Sequence, residues 1–382
     1  MSSFPVAVVP EYLYNTDGGG GGGSVNSVNA GIGITVTGTA TDPIINAIPD
    51  VKPINSIFVS PNGNDLTNTG GPTSPFLTIA KALDFRSTIA TETIVEIILY
   101  AGTYTENPNI FMTNTVITGF PSAYDTGDAI NANSKQVTIN GFITVSSNIL
   151  SASASSISIC NINLFGGLST ASTVNQDFTF RMSNCRVDAR ITNTQSTNNA
   201  YTAIYSDCYF TFISDAGIMV IEGVDVQMIR CEFSHFYTIF GSIINIGSGT
   251  SRGGTMNMQY SRLLSTSTGA NPGPLITYTN TISTSGDIYL HNTFAYALNT
   301  VDTGDNKCCI QFLQDVGITV DMIAYNVFKC DGASFGGGQP YAIQNRNTAG
   351  TITINSFGGN FGGQLAHTLD PTITVVSNFV LM

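Results

Sequence analysis

Apolar residues along this chain recur in short alternating runs, not in helical stripes. Ile32, Ile34 and Val36 alternate with small or polar residues, and so do the residues of Thr351-Ile352-Thr353-Ile354. Alternation with period two marks a half-buried strand, because successive side chains leave a strand on opposite faces. Helical spacing occurs in one place. Phe76, Ile79, Ala80 and Leu83 fall on one helical face just after Thr73-Ser74-Pro75, which supplies a start signal. The pattern predicts a β protein with one short helix.

The strands repeat. NINL (161–164), NCRV (184–187), DCYF (207–210) and RCEF (230–233) put Ile162, Cys185, Cys208 and Cys231 at intervals of 23 residues. Echoes follow at YSRL (260–263), HNTF (291–294) and YNVF (325–328), whose second residues, Ser261, Asn292 and Asn326, extend the column at intervals of 30, 31 and 34. Self-similarity at this period signals stacked coils of a solenoid, and the growing intervals predict connections that lengthen into loops on one side of the later coils. Strand alternation points the cysteines inward with Val187, Phe210 and Phe233. It points Asn184, Asp207 and Arg230, then Arg186, Tyr209 and Glu232, outward. Coils about 4.8 Å apart sit too far apart for disulfides, which need Cβ atoms about 3.8 Å apart. A reduced core ladder is the expectation.

Before the repeats the chain changes character several times. Residues 1–17 are apolar and proline-punctuated, as in a docking peptide, and Gly18–Gly23 form a tether spanning roughly 13 Å. Residues 24–48 show two short alternating runs broken at Gly38–Pro43, a small hairpin that needs partners. Residues 57–104 combine the turn Pro61-Asn62-Gly63-Asn64-Asp65, the helix, the strand Val95–Tyr100 and a Gly102 turn before Tyr104. The expected division is 1–23 docking peptide and tether, 24–55 β junction, 56–335 solenoid and 336–382 C-terminal coils and cap.

The order within 57–104 resembles the entrance of pectin-lyase-like β-helices, in which a V-S-x-x-G-x-D turn and a P-F-x-T-I-x-x-A helix seal the first coil. Ala101 stands where that family usually has proline. The resemblance implies an all-β fold, a right-handed parallel β-helix with a short N-terminal capping helix. It implies no particular function, since the same scaffold carries lyases, hydrolases, esterases and inert fibres. It also implies asparagine ladders, whose amides satisfy one another along the stack. Residues 24–48 resemble the GxGIxVTGTxxxPxI modules near the attachment ends of phage and large-virus fibres. That resemblance implies a trimeric junction.

Composition narrows the partners. Among 382 residues, 10% are charged, 42% are hydrophobic and the formal net charge is −12, with 13 basic residues scattered singly. Such a surface repels phosphate backbones and anionic membranes, so neither nucleic acid nor membrane is expected as a partner. No run reaches membrane-span length, and the N-terminus lacks the pattern of a secretory signal. Seven cysteines without a C-x-x-C pair, and three dispersed histidines, predict neither a disulfide framework nor a metal site; no cofactor is expected. Gly31-Ile32-Gly33 lacks the third glycine and the helix of a dinucleotide fingerprint.

A glycan-cleaving β-helix needs two carboxylates on an outward face at acid–base or nucleophile separation; a lyase needs a base and calcium-binding carboxylates. The outward candidates are Asp188, Asp207, Asp215, Glu222, Asp225 and Glu232, near Arg186, Arg230 and His235. Asp207 with Arg230, and Tyr209 with Glu232, share columns on adjacent coils, which also fits cross-coil ion pairing. The dense acidic, His-Gly and Arg-x-Lys motifs of β-helix depolymerases are missing, so no catalytic residue is assigned; Asp207, Arg230, Glu232 and Asp188 are the candidates if the chain is an enzyme. The combined expectation is a non-enzymatic virion fibre, spike or capsid-associated protein. It is expected as a homotrimer held to other virion proteins by its N-terminus, with a flank open to host glycan. The alternative is a polysaccharide lyase or glycoside hydrolase on the same scaffold.

Overall fold

Twelve, nine and nine strands build three sheets in which every paired neighbour is parallel. The computed structural model describes residues 34–39, 42–47, 55–120, 136–145, 155–172, 178–188, 190–195, 201–212, 218–237, 242–247, 255–267, 275–279, 288–291 and 293–299. Beyond these it describes the strand segments 308–312, 318–323, 327–332, 341–345, 352–357, 360–361, 373–375 and 380–381. The chain divides into two units, Met1–Lys52 and Pro53–Met382. In the first, Ile34–Thr39 pairs antiparallel with Asp42–Ala47. The docking peptide 1–17, the glycine run and Asn326 lie outside the described residues.

The second unit is a right-handed parallel β-helix. Each coil contributes one strand to each sheet in turn, as Phe178–Ser183, Arg186–Val187 and Ile191–Gln195 do before Tyr201–Ser206 restarts the cycle. The expected cysteine column is present. Cys185, Cys208 and Cys231 are free and 1%, 1% and 0% exposed. Val187, Phe210 and Phe233 line the same interior, the two phenylalanine rings stacked at 4.5 Å.

The corner from first to second sheet differs from the expected strand. Asn161, Asn184, Asp207, Arg230 and Tyr260 have φ of 59°, 51°, 54°, 53° and 51°. They are left-handed bends, not outward strand positions. Each bend residue's N–H donates upward to the next coil, Asp207 to Ile229 O at 3.0 Å and Arg230 to Gln259 O at 2.9 Å. The residue after each cysteine donates downward, Tyr209 to Cys185 O at 2.9 Å and Glu232 to Cys208 O at 2.9 Å. The thiol between them faces two carbonyls: Cys208 Sγ lies 3.3 Å from Ser206 O and 3.5 Å from Met182 O. The corner's backbone N–H groups are thereby paired to the neighbouring coils while its second residue is buried.

Register corrects the later column. Gln259 pairs with His291 and Arg262 with Phe294, so Thr293, not Asn292, follows Ser261. Ser261 and Thr293 are each 1% exposed, and their hydroxyls donate to Gln259 O at 2.9 Å and Met258 O at 3.3 Å. Hydroxyls thus replace thiols as small inward donors. The asparagine contact falls in the bend column instead, Asn184 Nδ2 donating to Asn161 Oδ1 at 2.8 Å. The connections between second and third sheets lengthen as expected, from 165–167 to 268–275, whereas those between third and first do not grow steadily, 146–154 being longer than 280–287.

The single helix, α1 (Ile79–Arg86), begins later than Thr73-Ser74-Pro75 suggested. Thr78 is its N-cap and accepts from Lys81 N at 3.1 Å. Asp65 accepts from Leu77 N at 2.7 Å, and Glu106, from the following coil, accepts from Ile79 N at 2.8 Å and Ala80 N at 2.9 Å. The buried face is Ile79, Ala82, Leu83 and Arg86, so Ala82 takes the place expected for Ala80. Arg86 is fully buried without a carboxylate partner. Its guanidinium donates to Ile89 O at 3.0 Å, Thr93 O at 3.0 Å and Thr113 O at 2.8 Å, and burial lowers its pKa. At the helix C-terminus these carbonyl dipoles compensate the charge.

A left-handed bend suits asparagine better than a bulky ring. Tyr260→Asn is therefore expected to raise unfolding stability by about 1 kcal/mol, read from the urea midpoint, with Asn184→Val lowering it.

Candidate functional site

The outer face of the second sheet carries the charged candidates, because a two-residue corner holds the coils between Cys160 and Phe294 there in one register. Asn163, Arg186, Tyr209, Glu232 and Arg262 pair successively in one column. Two residues earlier runs the bend column of Asn184, Asp207, Arg230 and Tyr260. Two residues later, Thr211 and Ser234 are 9% and 5% exposed. Asn163 is 4% exposed. What remains accessible is a strip two columns wide along the solenoid.

Within it the expected cross-coil pair is present. Arg230 Nε and NH2 donate to Asp207 Oδ1 at 2.6 Å and Oδ2 at 2.7 Å, a bidentate fork with side chains 60% and 42% exposed. That bond and the carboxylate charge raise the Arg230 pKa. So exposed a pair contributes at most about 1 kcal/mol. Glu232 lies 3.6 Å from Arg262 NH1. The Arg186 guanidinium stands 5.4 Å over the Tyr209 ring, a cation–π contact. Tyr260, 53% exposed, leans against His291 with centroids 5.1 Å apart.

Asp188 directly follows the strand Arg186–Val187. Burial raises its pKa, opposed by the Arg186 charge. The other candidates are not brought to this face. Glu222 is exposed in a third-sheet strand and Asp225 opens a first-sheet strand. Asp215 and the side chain of His235 lie outside the described residues. The sequence reading missed Arg262 and Tyr260, although YSRL carries both in register with Arg186 and Asn184. Among the described residues no group of three His, Cys, Asp or Glu is placed to hold a metal, and no helix is long and apolar enough to cross a membrane.

The third sheet's outward column is Thr144, Ser169, Thr192, Val220, Asn245 and Thr277, uncharged and, apart from Val220, made of hydroxyls and one amide.

The raised Asp188 pKa has a defined sign. A carboxyl that ionises less readily when folded penalises the fold fully above its folded pKa, and the penalty fades as pH falls toward its ordinary value. Asp188→Asn is expected to be more stable than the parent chain at neutral pH, with the gap closing in acid. Urea midpoints across that range read the effect.

No protein-family model matches the chain, and no curated protein matches it. Solved structures do. A pectin methylesterase from Aspergillus niger is similar at 13% identity and TM-score 0.39, over 87% of this chain and 93% of that one. Carrot pectin methylesterase is similar at 11% and 0.37, over 85% and 88%. A rhamnogalacturonan lyase is similar at 12% and 0.31, over 85% and 87%. Likeness at this level extends no activity or residue role to this chain.

Proposed function

We propose that the chain is a non-catalytic, glycan-engaging β-helix that serves as a structural module of a virion fibre or spike. The observation that supports this is the state of the carboxylates on the second sheet's outer strip. Asp207 is held in a bidentate fork by Arg230, and Glu232 lies against Arg262. A carboxylate whose oxygens are engaged by a neighbouring guanidinium is not free to reach a scissile bond without breaking that contact. The same groups offer a sugar paired donors and acceptors, and the uncharged third-sheet column adds more. The N-terminal resemblance to fibre attachment modules supports the particle setting and trimeric assembly.

Asp188 favours a second reading, a polysaccharide lyase or hydrolase. Burial holds its carboxyl toward the neutral form beside Arg186, the condition a general acid needs.

The two readings separate in one assay on the full chain, incubated with immobilised and soluble polysaccharides. The structural reading expects retention on a polysaccharide with no new reducing or unsaturated ends. Cleavage that disappears in Asp188→Asn replaces it with the enzyme reading. Light scattering of the full chain and of a chain lacking residues 1–50 tests assembly. A trimer that loosens on truncation is expected; a monomer in both removes the trimer.

A further inference from the structure

The accessible strip on the second sheet is nearly balanced in charge although the chain as a whole is strongly acidic. Three arginines, Arg186, Arg230 and Arg262, stand on it with Asp207 and Glu232, and Asp188 stands at its edge, in the column of Thr211 and Ser234. Two of the arginines face a carboxylate at 2.6 Å and 3.6 Å, and the third lies over Tyr209 with its charge acting on Asp188. The net charge of the chain is −12.

We propose that this strip binds a linear, neutral glycan lying along the solenoid axis, a specificity that rests on the glycan-engaging reading above. Three features carry the inference. The first is repeat: coils follow one another at about 4.8 Å, close to the advance of one sugar in an extended chain, so each coil meets one residue. The second is width. The accessible side chains stand in two columns, with buried Thr211 and Ser234 along one side and buried Asn163 at one end, a footprint matched to an unbranched chain.

The third is chemistry. Ion pairs left intact present fixed donors and acceptors to vicinal hydroxyls, while the exposed ring of Tyr260 offers an apolar face for sugar C–H groups. A polyanionic glycan gains less here. Its carboxylates compete with Asp207 and Glu232 for the same guanidiniums and meet the repulsion of an acidic protein.

Titration calorimetry on the full chain tests this with four probes: cellohexaose, laminarihexaose, maltohexaose and hexagalacturonate. At least one neutral probe is expected to bind, with affinity insensitive to added salt. Tyr260→Asn is expected to weaken it about tenfold, the loss of one ring contact, and the double variant Asp207→Asn/Arg230→Asn to weaken it further. Asparagine already occupies this bend at Asn161 and Asn184, so both variants keep the fold, which thermal melts verify. Binding of hexagalacturonate alone, or neutral binding that neither variant changes, overturns the inference and leaves the glycan-engaging reading standing. Binding of no probe to the parent chain, together with no retention on any polysaccharide, overturns both.

Discussion

A two-residue corner between the first and second sheets sets the geometry of the rest of the solenoid. One residue bends into the left-handed region and the next buries a small donor group against two carbonyls. Cys185, Cys208, Cys231, Ser261 and Thr293 perform the second task with thiol or hydroxyl. Thiol and hydroxyl each give the bend carbonyls a side-chain donor, which is why residues of different polarity share one column. The donor is not obligatory, because Ile162, 1% exposed, fills the same place after the Asn161 bend with packing alone.

An invariant corner has consequences on both sides of the wall. Inside, it aligns Phe210 with Phe233 and keeps the cysteines stacked. Outside, it aligns Arg186, Tyr209, Glu232 and Arg262, so that chemistry repeats at the coil spacing. The other two corners vary in length from coil to coil, whereas this one keeps two residues from Cys160 to Phe294, the long connection 120–136 falling in an earlier coil. The charged strip therefore lies beside the most regular part of the molecule, where side-chain positions inherit the rigidity of the ladder.

Much of the fold was legible because solenoids repeat. The interval of 23 residues and the alternation within NCRV, DCYF and RCEF revealed the inward ladder, and P-F-x-T-I-x-x-A revealed the cap. What escaped was conformational. A left-handed bend at Asp207 or Arg230 leaves no trace in a hydrophobic pattern, since neither residue is a glycine, and it read as an outward strand position. Asn292 fell in the cysteine column because motif alignment misses the one-residue shift set by the pairing of Gln259 with His291 and Arg262 with Phe294. The burial of Arg86 was equally invisible, since it depends on the carbonyls of Ile89, Thr93 and Thr113, which only folding brings together. Of the site, the Asp207–Arg230 pair was legible from column and charge. The protonation bias of Asp188 was not, because burial is a property of the assembled coils.

The dependence of the fold on its corner can be measured by inserting one glycine at either of two places in the same coil. One insertion goes between Asp207 and Cys208, the other between residues 214 and 215. With urea unfolding as the readout, the corner insertion is expected to abolish a single cooperative transition or lower its midpoint sharply, because it displaces both the bend and the thiol. The second insertion is expected to leave the midpoint nearly unchanged. Equal tolerance of both insertions would contradict the account.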